Sequence, residues 1–109
     1  MADLNTRLRG MLGFAMRAGK VLIGTDPIIS AMQGKHKPQI VLISHTASDG
    51  TKKKLKFKCE FYGIKAVQIN LSTEELGALL GKTYTPAVIG IMDEGFAKEI
   101  GIITSGQEI

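Results

Sequence analysis

The segment Gly24-Thr25-Asp26-Pro27 is the part of the chain best suited to hold an anion or a base edge. It follows a short apolar run, Val21-Leu22-Ile23, that reads as a strand. It precedes Ile28, Ile29 and Met32, whose spacing predicts a short helix ending near Gly34. A helix N-terminus at the carboxyl end of a strand is where open α/β sheets tend to bind ligands. Free N–H groups there suit phosphates or base acceptors, and Arg17 and Lys20 stand just before the turn. A plain capped helix explains the same residues. Thr25 can cap, Pro27 falls near the first turn where a missing N–H costs little, and Asp26 satisfies the helix dipole. Both readings remain open on these residues alone.

Other candidate chemistry is weaker. Gly77-Ala78-Leu79-Leu80-Gly81-Lys82-Thr83 looks like a phosphate loop but is one residue short. A phosphate loop must open a helix so that N–H groups face the phosphates. Here the glycines fall within and at the end of a predicted helix, so a C-cap followed by a loop is the better account. His36, His45 and Cys59 match no common zinc spacing, and there is no second cysteine. Cys59 lies on an apolar helix stripe, as a packed thiol would. No nucleophile elbow is present, and Asp93-Glu94 reads as a helix start. No catalytic residue, metal or cofactor is expected, and the chain is read as a non-enzyme.

The densest charge run is Lys52, Lys53, Lys54, Lys56 and Lys58, with Phe57 and Phe61 interleaved four residues apart. It offers either a phosphate-contacting surface or a solvated helix face, and taken alone the solvated face is the simpler account. The net charge is +4, but twelve Lys or Arg against four acids lie at or before Lys65, and two against six lie beyond it. Such asymmetry attracts polyanions, although lysines also serve solubility.

The elements that must position these residues follow from periodicity. Leu4, Leu8, Met11, Leu12, Ala15 and Met16 predict a first helix, ended by Gly19. Gln39 to Ser44, Ala66 to Ile69 and Ala87 to Met92 read as strands, the first and last of them buried on both faces. Ser48-Asp49-Gly50-Thr51 starts a helix through Leu55, Cys59 and Tyr62 that Gly63 ends. Ser72 and Glu75 form a capping-box pattern before Leu76, Leu79 and Leu80, with Gly81 closing that helix. A short helix around Phe96, Ala97 and Ile100 comes last, after which the tail is expected to fray. Strand–helix alternation implies an α/β fold with a mixed, mostly parallel four-stranded sheet between helices. At 109 residues, with no linker or repeat, the chain reads as one domain, residues 1–109. No apolar run approaches the ~20 residues that span a bilayer. The N-terminus lacks the order of a signal peptide, so a cytoplasmic location with no membrane partner is expected.

Several landmarks in order carry a resemblance: Arg17-Ala18-Gly19-Lys20, Gly24-Thr25, Lys52-Lys53-Lys54, Lys58-Cys59-Glu60-Phe61-Tyr62-Gly63, Glu75-Leu76-Gly77 and Asp93-Glu94-Gly95-Phe96-Ala97. From about Leu8 to Ile100 the chain resembles the kink-turn-binding ribosomal protein family, the L-seven-A-e and L-thirty-e group. Within it, the chain looks closest to the small bacterial YlxQ-like branch. The resemblance implies a three-layer α/β/α sandwich that binds a kink turn, an RNA duplex sharply bent at a bulge beside tandem G·A pairs. It implies one RNA-binding surface at Lys20, Gly24, Thr25, Asp26, Pro27 and Ser30. A second, at Thr83, Tyr84, Thr85, Pro86 and Ala87, would cover the bulged nucleotides, with Tyr84 able to stack on an unpaired base. Tight binders in that family usually carry Gly-x-Asn-Glu and a basic residue one turn on. Here Asp26, Pro27 and Ser30 hold those positions, and Leu22 and Ile23 replace the basic residues often found before the glycine. Ionised Asp only accepts hydrogen bonds, whereas Asn also donates, which predicts weaker or altered recognition. The expected partners are kink-turn or ribosomal RNA and the ribosome, with the protein a monomer. A protein-interaction adaptor on the same fold is the alternative.

Overall fold

The computed structural model of the protein describes residues 3–109. Among them the order is α1 (Leu4–Arg17), β1 (Val21–Ile23), α2 (Thr25–Met32), β2 (Ile40–Ser44), α3 (Asp49–Tyr62), β3 (Lys65–Ile69), α4 (Thr73–Leu79), β4 (Val88–Ile91) and α5 (Glu94–Ile103). Capping chemistry sets most helix starts. The side chains of Asp3, Ser48, Ser72 and Asp93 accept first-turn N–H groups of α1, α3, α4 and α5. Ser72 and Glu75 complete a reciprocal capping box. Its backbone and hydroxyl hydrogen bonds, with Arg9 nearby, hold the Glu75 carboxyl below its ordinary pKa.

The strands lie in the order β1-β4-β2-β3. β2 and β3 are parallel, while β4 is antiparallel to both of its neighbours, β1 and β2. The expectation of a mostly parallel sheet is therefore corrected. Alternation does make β1, β2 and β3 run the same way, and β4 alone is reversed. The physical reason lies in the preceding connection. Its only helix, α4, has seven residues, about 10 Å of rise, against about 17 Å for a five-residue strand. That is too short to return the chain to the start of β3. Instead β4 enters at the end where β3 leaves and threads back between β1 and β2.

Side-chain alternation along the strands feeds two cores. Ile40, Leu42, Val67, Ile69, Ile89 and Ile91 face α1, α4 and α5, meeting Leu12, Leu76 and Ile100. Val41, Ile43, Ala66 and Val88 face α2 and α3, meeting Ile28, Met32, Leu55 and Cys59. The result is the three-layer sandwich expected, and it explains why β2 and β4 are buried along their whole length.

The tail does not fray. Gln68 N–H donates to the Gln107 carbonyl at 3.0 Å, and Ile109 N–H donates to the Ala66 carbonyl at 3.1 Å. Glu108 forms an antiparallel bridge with Val67. β3 is an edge strand whose outer backbone groups need partners, and the tail supplies them.

Candidate nucleic-acid interface

Because β1, β2 and β3 are co-directional and β4 is reversed, the carboxyl ends of the first three strands and the amino end of β4 share one end of the sheet. The turn at Gly24 and the loop leading into Val88 therefore converge there. The join is direct: Gly24 N–H donates to the Val88 carbonyl at 3.0 Å. Ala87, one residue earlier, accepts from Ser44 N–H at 2.9 Å. Behind them the buried Ser44 hydroxyl donates to the Leu71 carbonyl at 2.7 Å and accepts from Thr46 N–H at 3.1 Å. The loops at this end are thus pinned to the sheet.

Gly24 is the N-cap of α2, with φ 104° and ψ 151°. That region of backbone space is essentially open only to glycine. Thr25, considered above as the cap, is instead the first helical residue, and α2 has no side-chain cap. Ile28 N–H reaches the Gly24 carbonyl at 3.2 Å, and Pro27 has no N–H. The backbone N–H groups of Thr25 and Asp26 are left with no acceptor among the described residues. They point from the positive end of the helix dipole, with the exposed Asp26 carboxylate beside them. Pro27 and Ser30 are also exposed.

The opposing loop is shaped by α4. Gly81 N–H donates to the Ala78 carbonyl at 3.2 Å and Lys82 N–H to the Gly77 carbonyl at 2.8 Å, the paired bonds of a Schellman motif. The run resembling a phosphate loop is therefore a helix C-terminus. A Cβ added at Gly77 would stand 2.5 Å from the Tyr84 carbonyl and 3.5 Å from the Pro86 ring. Only glycine lets the loop lie against the helix. Pro86 is buried there, so the outward apolar cover comes from Tyr84, which is 54% exposed. Thr83 and Thr85 are exposed beside it, and Ala87 is half-buried.

Lys20 stands apart from this junction. Its carbonyl accepts from Met92 N–H at 2.8 Å, at the opposite end of β1. Four residues of extended chain separate it from Gly24, about 13 Å. The packing role of Gly77, named above only within the phosphate-loop-like run and as a landmark, is what sequence reasoning missed. A glycine inside a helix, where it costs about 1 kcal/mol relative to alanine, is itself a signal of close approach.

His36 and His45 are exposed. No group of three His, Cys, Asp or Glu able to hold a metal occurs among the described residues. Cys59 is buried, and burial pushes its thiol pKa up to about 11. Among the described residues no helix is long and apolar enough to cross a membrane.

Comparison with known proteins bears on this geometry. The profile of the ribosomal protein L7Ae/L30e/S12e/Gadd45 family matches residues 6–101. RNA-binding protein YlxQ of Enterococcus faecium is 35% identical over 96 residues, covering 88% of this chain and 89% of its own. The large ribosomal subunit protein eL30 of Sulfolobus acidocaldarius is 33% identical over 101 residues, covering 92% and 95%. Among solved structures, a Bacillus halodurans protein described as of unknown function superposes with a TM-score of 0.81 at 32% identity, covering 89% of this chain and 95% of its own. The Giardia lamblia 15.5kD RNA binding protein superposes at 0.76 and 18% identity, covering 98% and 89%, a likeness of fold alone.

Proposed function

The chain belongs to the L7Ae/L30e/S12e/Gadd45 family of ribosomal proteins, and from that premise we propose that it binds RNA, recognising a kink turn or a related bend through the N-terminus of α2 and the Thr83–Ala87 loop. It is not an enzyme; its relatives are named as ribosomal and RNA-binding proteins. One observation carries the reading. The 3.0 Å hydrogen bond from Gly24 to Val88 locks the α2 N-terminus, the one without a side-chain cap among the described residues, beside the strand that the loop bearing Tyr84 leads into. Two free N–H groups and the loop bearing an exposed ring then lie at the same end of the sheet. The N–H groups donate to phosphate or base-edge oxygens, and the ring stacks on an extruded nucleotide. Thr25, Asp26 and Ser30 line the first surface. Gly24 and Pro27 set its backbone, and Lys20 adds charge where the RNA follows the β1 edge. Asp26 accepts from a guanine edge, and its charge beside phosphates limits affinity. The protein acts as a single-domain monomer in the cytoplasm, on ribosomal or ribosome-associated RNA, with no cofactor.

The test is titration of the protein with a kink-turn RNA and with a matched duplex lacking the bulge, across a salt series. The kink turn should bind more tightly, with affinity falling steeply as salt rises. Equal affinity for both duplexes contradicts kink-turn reading. Affinity unchanged by salt points to non-electrostatic contacts, and absence of binding to either RNA favours the protein-interaction adaptor.

A further inference from the structure

The junction at α2 leaves the densest run of like charge in the sequence, the lysines of α3, unused. α3 buries Leu55 and Cys59, and its opposite face carries Phe57 and Phe61 at 65% and 73% exposure. Four residues apart, the two rings share that outward face. Lys53, Lys54 and Lys56 are exposed around them and Lys58 is half-buried, against the single acid Glu60. Two large apolar side chains held in water at the centre of a cationic rim mark an interaction site. The composition selects the partner. Protein interface cores are depleted of lysine and enriched in Met, Arg and Trp as well as Phe. The outer face of α3 has none of those three, and lysine dominates it. Surfaces that bind single-stranded nucleic acid pair aromatic platforms with cations that track the phosphates.

We infer that the outer face of α3 is a second RNA-contact surface, taking unpaired nucleotides that flank the structured element, with Phe57 and Phe61 as stacking platforms and Lys53, Lys54 and Lys58 as phosphate contacts. It rests on the reading of this protein as an RNA binder. The placement suits continuity with the first surface. α2 and α3 pack side by side in one layer. α3 starts at the same end of the sheet as Gly24, and Phe57 and Phe61 lie about 12 and 18 Å along it. A strand leaving the bound RNA runs over α3 away from the junction.

The test compares a blunt kink-turn RNA with the same RNA carrying a short oligouridine tail, and with the oligouridine alone. The tail should raise wild-type affinity at least about tenfold. The double variant Phe57→Ala/Phe61→Ala should lose that gain, keep its affinity for the blunt RNA and stay folded, with only the small drop in melting temperature that loss of the edge-on Phe61–Tyr62 contact brings. Lys53→Gln/Lys54→Gln should reduce the gain and flatten its salt dependence. A tail that adds nothing, or a gain that survives the double phenylalanine variant, overturns the inference. So does an RNase-resistant protein partner lost by that variant while the tail gain persists. Failure of the α2 reading is distinct: it would show as equal binding of blunt kinked and straight duplexes, while oligouridine binding and its loss still decide the role of α3.

Discussion

Gly24 concentrates the local demands of the interface. Its φ of 104° with ψ of 151° is backbone that costs a side-chain-bearing residue about 1–3 kcal/mol. A Cβ there meets only the Pro27 ring, at 3.5 Å, so the penalty is conformational and not steric. Gly24→Ala should lower stability by that amount in urea unfolding and reduce RNA affinity by moving the Thr25 and Asp26 N–H groups. Asp26→Asn removes a negative charge beside the phosphates and adds a donor, so it should tighten RNA binding several-fold in a filter or anisotropy titration. It also removes a favourable first-turn charge, costing about 0.3–1 kcal/mol of stability. Cys59 tests the core. Its thiol pKa rises from 9.0 to about 11 on burial, so between those values the folded state holds a proton that the unfolded state has lost. Stability is then undiminished below pH 9 and falls as pH climbs from 9 toward 11. Denaturation midpoints of wild type and Cys59→Ser should converge over that window.

At the scale of elements, much was legible and the exceptions have causes. The helices follow from apolar spacing and from Asp3, Ser48, Ser72 and Asp93, which cap because a short side-chain oxygen can reach the first-turn N–H groups. The Thr25 cap was misread because Gly24 already occupies the N-cap, and its backbone is held by Val88, a partner remote in sequence. The contact between Gly77 and the Tyr84 carbonyl is likewise tertiary. Gly77→Ala should raise the intrinsic helix propensity of α4 by about 1 kcal/mol yet destabilise the protein by about 1–3 kcal/mol, because the loop must move off the helix. Thermal melts check the sign, and lowered kink-turn affinity checks that the loop takes part in binding. Pro86, expected on the covering surface, turns inward at this contact, which leaves Tyr84 as the outward group.

At the scale of the whole molecule, alternation of strands and helices reports layers but not strand order. Periodicity is local, and the reversal of β4 depends on how far a seven-residue helix can carry the chain. The expectation that the tail frays failed for the same reason: its partner is the edge of β3, invisible in the last residues themselves. Charge asymmetry was legible, and the fold turns it into geometry by setting the α3 lysines on the α2–α3 layer, where Lys37 also reaches the Met32 carbonyl and the Tyr62 ring. RNA affinity should therefore fall linearly with the logarithm of salt concentration. Neutralising α3 lysines should flatten that slope without abolishing preference for the kinked duplex. The claim that joins these scales is that RNA docks at the α2 N-terminus and the loop opposite it. Backbone amide shift mapping by NMR, with a kink-turn RNA added stepwise, addresses it most directly. The account predicts that the largest shifts fall on Thr25, Asp26 and Thr83 through Thr85. Shifts concentrated on α4 and α5, with Thr25 and Asp26 unmoved, would contradict it.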